Sequence, residues 1–131
     1  MIGLDTNVVV RYLVRDDPIQ AARADDLIER RLTNEEPGYI NLVALVETVW
    51  VLKRAYGYPR GEISRAIRKL LQSDELVVAQ EREVFAALTA FEDGPGDFSD
   101  VLIGQLNAAA GCARTLSFDH GARRLPGFEP L

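Results

Sequence analysis

The chain is poor in the residues that staple, coordinate or anchor a protein. Its single cysteine, Cys112, can form no intramolecular disulfide and offers no zinc spacing, so it reads as a small buried thiol. No stretch approaches the roughly 20 uninterrupted apolar residues that span a bilayer, and the N-terminus lacks the basic-then-apolar pattern of a secretion signal. A soluble, cytoplasmic protein with no membrane contact is expected. An excess of positive charge is missing too: a net charge of -5 and a pI near 4.9 argue against binding nucleic acid through a bulk positive field. That total is a poor guide to a small site, because carboxylates clustered to hold cations lower the pI while attracting a metal and, through it, phosphate. Repeats and low-complexity segments are absent as well.

What is present is a chain of 131 residues, 47% of them hydrophobic, the size of one ordinary domain with one core. A single domain over residues 1–131 is expected. Met1 to Leu4 is a short apolar run ending at Asp5-Thr6-Asn7, after which Val8, Val9, Tyr12 and Leu13 recur at helical spacing. Asp17 with Pro18 behind it is a cap with proline at the first helical position, opening a helix through Leu32. Tyr39-Ile40 is a second strand, and Asn41 caps a helix to about Ala55, which Gly57-Tyr58-Pro59 terminates. Glu62 to Leu71 is an amphipathic helix, Leu76 to Ala79 a third strand, and Glu83 to Phe91 another helix. Beyond the Gly94-Pro95-Gly96 turn, Ser99 to Ala110 is helical up to Gly111, and Thr115 to Phe118 is a fourth strand that delivers Asp119. Strands alternating with helices predict a parallel sheet covered on both faces, with any ligand site beyond the carboxyl ends of the strands. Asp5 and Asp119 both follow strands, so both carboxylates are expected at that edge.

One acid is conspicuous. In "INLVALVETVWVLKR", Glu47 has Val43, Ala44, Trp50 and Val51 as its neighbours three and four residues away, none able to pair with a carboxylate. Lys53 and Arg54 are on the same helix, but Arg54 lies about 10 Å along the axis. Burying an unpaired carboxylate costs several kcal/mol, so Glu47 needs a partner from elsewhere, a metal ion or a distant arginine, or else lies on a wetter face than its surroundings suggest. Trp50, in so apolar a helix, is expected in the core.

The other acids have bland readings beside the sharp one. Asp97 and Asp100, in "GPGDFSDVLIGQL", fit an N-cap and a second acid favoured by the helix dipole. Gly104 and Ala108 below Asp100 are small enough to let that helix approach a neighbour. Asp5 and Asp119 fit the Asx-turns common at strand ends. Their conjunction is what matters: Asp5, Glu47, Asp100 and Asp119 sit on separate elements of one α/β pattern, and hard oxygen donors in that number suit Mg²⁺ or Mn²⁺ rather than zinc.

"IGLDTNVVVRYL", "NLVALVETVWVL", "DFSDVLIG" and "TLSFDHGARRLPGFEPL", in that order, resemble the PIN-domain nucleases and, within them, the VapC-like toxins of VapBC toxin-antitoxin pairs. The resemblance implies a three-layer α/β/α domain with a four- or five-stranded parallel sheet. It also implies metal-dependent cleavage of RNA, a VapB-like antitoxin and a homodimer. By resemblance the acidic quartet falls on Asp5, Glu47, Asp100 and Asp119, with Asp97 as an additional candidate ligand and Thr6, Asn7 and Ser117 as supporting polar residues. The family often has Ser or Thr where Asn41 starts the central helix, and His120, the only histidine, is not required by its pattern. Without cation, four acids in one cleft repel, so metal is expected to stabilise the fold as well.

RNA outside the metal site requires local basic residues, for which Arg11, Arg15, Arg54, Arg60, Arg123 and Arg124 are candidates, each more often a solvated surface charge. Two other function classes stay open: a non-catalytic PIN-like interaction domain, and a Mg²⁺ phosphatase with Asp5 as nucleophile. The phosphatase is disfavoured because haloacid-dehalogenase-like enzymes carry a second Asp two residues on, where this chain has Asn7.

Overall fold

The computed structural model describes residues 1–131, and strands alternate with helices along it as an α/β protein. The chain divides into two units, Met1–Ala79 and Gln80–Leu131. No helix is long and apolar enough to cross a membrane.

The first unit runs β1 (Ile2–Gly3), α1 (Thr6–Leu13), α2 (Pro18–Asp25), β2 (Gly38–Ile40), α3 (Leu42–Arg54), α4 (Arg60–Gln72) and β3 (Leu76–Val78). Its three strands form a parallel sheet in the order β1-β2-β3, with Gly38 of the central strand opposite Ile2 on one side and Leu76 on the other. Gly38 stands there because space is short: a Cβ would lie 2.8 Å from Leu32, 2.9 Å from Leu4 and 3.1 Å from Leu76.

Helix starts follow local chemistry. The Asp17 carboxylate accepts from the Gln20 amide at 3.0 Å with Pro18 behind it, and the Asn41 side chain accepts from the Ala44 amide at 2.8 Å. α4 begins two residues earlier than its apolar pattern suggests, because the Pro59 carbonyl accepts from both Glu62 and Ile63 at 3.0 Å. Val10 and Val14 pack with Leu52 into a core that Tyr56, Tyr58 and Ala66 flank, so trimming Leu52 to alanine costs about 2–5 kcal/mol. The helix expected from Asp17 to Leu32 changes its winding half-way. α2 runs directly into a π-helical stretch, Asp26–Arg31, closed by the Leu32 amide donating to the Leu27 carbonyl at 2.8 Å.

The second unit runs α5 (Glu81–Asp93), α6 (Phe98–Ala109), β4 (Thr115–Ser117), a 3₁₀ turn (Ala122–Arg124) and β5 (Phe128–Pro130). α5 and α6 pack through buried Val84, Leu88, Phe91, Phe98 and Leu102, with Phe91 and Phe98 edge to face at 5.9 Å and 84°. Gly104 does allow a close approach: the Phe128 ring lies so near that a Cβ there would be 2.7 Å from it.

Sheet size departs from expectation. In place of one sheet of four or five strands there is a three-stranded parallel sheet and a separate parallel pair, β4 with β5. The strands are only two or three residues long, and β5 is hidden in the sequence because Glu129 and Pro130 are residues depleted in strands. Proline cannot donate to a ladder and is tolerated at the end of an edge strand, which is where Pro130 sits opposite Ser117.

Candidate metal centre

β1 and β2 lie side by side and parallel, so the segments that leave their carboxyl ends are neighbours. β1 hands the chain to Asp5, whose carboxylate accepts from the Thr6 amide at 2.7 Å while its carbonyl accepts from Val8 and Val9 at 3.1 and 3.3 Å. β2 hands it to Asn41, the cap of α3. Glu47 follows in the second turn of α3, on the face of Val43 and Ala44 three and four residues before it. Asp5, Thr6, Tyr39, Asn41, Ala44 and Glu47 therefore line one open cleft of about 380 Å³. Two residues with carboxylates, remote in sequence, line it together. Asn41 and Tyr39 were not among the expected site residues; their place at a strand's carboxyl end was the available signal. Because the Asn41 carbonyl oxygen is engaged by Ala44, its amide group is left as a donor.

In the second unit Asp97 occupies the N-cap of α6 through its backbone, its carbonyl accepting from Val101 at 3.0 Å, but its carboxylate makes no cap hydrogen bond. Half-buried Asp100 is in the first turn of the same helix, where the dipole favours an acid. Asp119 follows β4 in an Asx-turn: Oδ1 accepts from the Gly121 amide at 2.9 Å, and the Asp119 amide donates to Ser117 Oγ at 2.9 Å. Ser117 thus fixes the backbone on which Asp119 stands, and the turn leaves Asp119 exposed.

Some sequence expectations reverse. α3 buries Ala44, Leu45, Thr48, Val49 and Leu52, whereas Val43, Glu47 and Trp50 lie on its exposed side, Trp50 at 58%. Glu47 is a solvated acid at the mouth of a cleft, and its apolar neighbours in sequence are partly surface residues. Cys112 is exposed rather than buried, beyond the end of α6. His120 lies against Arg123, with Nε2 at 3.1 Å from a guanidinium nitrogen. Arg15 pairs with Asp25, whose carboxyl is held below the ordinary carboxylate range by that hydrogen bond. Arg11 is fixed by Gln20, Asp16 and the Tyr56 hydroxyl, and the hydrogen bond to Tyr56 is the largest of the causes that raise its already high pKa.

The donors suit a hard cation. The Asp5/Glu47 cleft offers oxygens and an amide, with no thiol or imidazole, and Mg²⁺ keeps most of its waters and takes only one or two protein carboxylates directly. No three or more Asp, Glu, His or Cys side chains of the chain form a metal-ligating group; Asp5 and Glu47 line the cleft as a pair. Comparison with curated proteins gives no match. The PIN domain family model matches residues 2–127, a span that takes in Asp5, Glu47, Asp97, Asp100 and Asp119. The chain belongs to the PIN domain family, whose members are typically metal-dependent nucleases.

Proposed function

We propose that the protein is a Mg²⁺- or Mn²⁺-dependent endoribonuclease, and that it serves as the toxin of a VapBC-type pair. The observation that carries the reading is the cleft shared by Asp5 and Glu47 at the carboxyl ends of β1 and β2, in a chain of the PIN family. In this reading Asp5, Asp100 and Asp119 hold the cation, with Asp97 as a further candidate, and Glu47 completes the set or orients the attacking water. When bound, the cation supplies positive charge that polarises a phosphodiester and acidifies a water. The Thr6 amide holds the Asp5 carboxylate, Asn7 is a supporting polar residue next to it in α1, and Ser117 positions Asp119. The family match runs through both units, which supports reading residues 1–131 as one catalytic domain. A VapB-like antitoxin, a homodimeric state and a cytoplasmic location belong to the same proposal.

Incubation of the protein with labelled structured RNA tests it, with Mg²⁺ or Mn²⁺ and with chelator. Cleavage is expected only with cation and is lost in Asp5→Asn and Asp119→Asn; cleavage that ignores chelator sinks the mechanism. Chelator should also lower the melting temperature, since the acids lose their counter-charge. The toxin role is tested separately by overexpression in cells: growth arrest that Asp5→Asn abolishes supports it, and harmless overexpression of an active nuclease refutes it.

A further inference from the structure

α1 and α2 face one another across a groove of about 480 Å³, whose walls include Asn7 and Arg11 from α1, Gln20 and Arg23 from α2, and Leu27 and Arg31 from the π-helical stretch. Three arginines line it and no acid does, in a chain whose net charge is -5. Two acids of the same helical stretch are engaged elsewhere: Asp25 pairs with Arg15, and Asp26 with Arg30 at 3.8 Å, while Glu29 is exposed and outside the lining. Arg11 is pre-organised, Nε donating to Gln20 at 2.6 Å and Nη1 to the Tyr56 hydroxyl at 3.0 Å and to Asp16 at 3.3 Å, so an acid outside the lining offsets part of its charge, whereas Arg23 and Arg31 make no ion pair within the chain.

The change of winding has a use here. In a straight α-helix Arg31, eight residues beyond Arg23, would be rotated about 80° out of line with it. The wider i→i+5 turn rotates less per residue and brings Arg31 back over Leu27 and Arg23, so both guanidinium groups face the groove. Consecutive residues of α1 line the acidic cleft and the groove, Thr6 the first and Asn7 the second. Asp5 caps α1, Asn7 is on the groove wall, and Arg11 stands one turn beyond Asn7 on the same face. Arg11 is about 9 Å along the axis from Asp5, the span of two to three stacked nucleotides at about 3.4 Å each.

We propose that this groove seats the backbone phosphates of a single-stranded RNA whose neighbouring phosphodiester lies at Asp5. The inference rests on the ribonuclease reading for the identity of the strand. Guanidinium forks match phosphate oxygens in charge and shape, and contacts to phosphate hold a strand in register without reading its sequence. The chain thereby grips an anion with a local field opposite to its total charge.

Binding of a short fluorescein-labelled single-stranded oligoribonucleotide, followed by anisotropy in chelator over a range of salt, separates this from catalysis. Relative to wild type, Arg23→Ala/Arg31→Ala is expected to weaken binding roughly tenfold and to flatten the slope of log K against log salt by about 1.4, two phosphates at about 0.7 each. Arg30→Ala, whose side chain pairs with Asp26 outside the groove, serves as the control and should leave both unchanged. An unaltered slope in the double variant overturns the proposal, as does an equal loss in Arg30→Ala or no RNA binding by wild type. If the double variant keeps RNA but loses a polyglutamate peptide, the groove belongs to an acidic protein partner and the proposal fails. Wild type that binds RNA through the groove yet cleaves nothing with Mn²⁺ refutes the nuclease reading and leaves the groove standing.

Discussion

Replacing Gly38 by alanine adds one methyl group to the most crowded point of the central strand. Two effects oppose each other. Gly38 has no positive φ, so alanine fits the backbone and, by restricting the unfolded chain, would alone stabilise by about 0.4–1 kcal/mol. Against this, the new Cβ would stand 2.8, 2.9 and 3.1 Å from methyl groups of Leu32, Leu4 and Leu76, all three at or below 7% exposure. Single leucine methyls can swing aside on an open surface, but three buried ones converging on one point cannot all yield. Overpacking of this kind costs about 1–3 kcal/mol, so the net loss should be about 1–2 kcal/mol. Urea unfolding at neutral pH measures it. Because Leu4 directly precedes Asp5, the push on Leu4 should also shift the carboxylate, lowering Mn²⁺-supported cleavage beyond what the fraction folded explains. A Gly38→Ala variant as stable as wild type would refute the account of why glycine stands there; one that is less stable but fully active would refute the coupling to Asp5.

Asp5 has two jobs that substitution can split: Asn caps a helix about as well as Asp, so Asp5→Asn should lose cleavage while keeping stability, whereas Asp5→Ala should lose both, about 1 kcal/mol of stability by urea titration. Equal stability of the two variants would show that the hydrogen bond to Thr6 contributes nothing. The Arg15–Asp25 pair lowers the Asp25 pKa, so its stabilisation is present above the ordinary carboxylate pKa near 4 and fades as pH falls through the depressed folded value. Arg15→Ala should therefore lower the urea midpoint slightly at pH 7 and leave it unchanged in strong acid, a contrast absent if the pair is incidental. Trp50, the sole tryptophan and 58% exposed, should be quenched by acrylamide nearly as efficiently in the folded chain as in urea; strong protection would place it at an interface.

Much of the fold could be read where a residue has one local reason to be there. Asp17-Pro18, Asn41 and Gly111 marked helix ends correctly, the last with φ 97°, because caps and stops act through their own backbone. For Glu47 the structure picks the wetter face over a buried partner, whereas Trp50, expected in the core, is exposed: α3 carries Val43 and Trp50 on its outer side, so its apolar run does not reveal which face is inward. The π winding at Asp26–Arg31 leaves no trace in a pattern still close to helical period, and β5 pairs through backbone groups that Glu129 and Pro130 do not advertise. Asp5, Asp97, Asp100 and Asp119 were legible as residues that follow strands or open helices, and Glu47 as a lone charge in an apolar run. That Asp5 and Glu47 share a cleft follows from the side-by-side pairing of β1 with β2, which is long-range and written in no local motif.

The exposed thiol at Cys112 bears on how the proposed pairing of chains can be established. Two molecules meeting at this position in air can join covalently and migrate together on a gel or column, mimicking a specific assembly. Sedimentation under reducing conditions, or with Cys112→Ser, removes that artefact. Only association that persists without the sulfur then counts as evidence for a non-covalent homodimer.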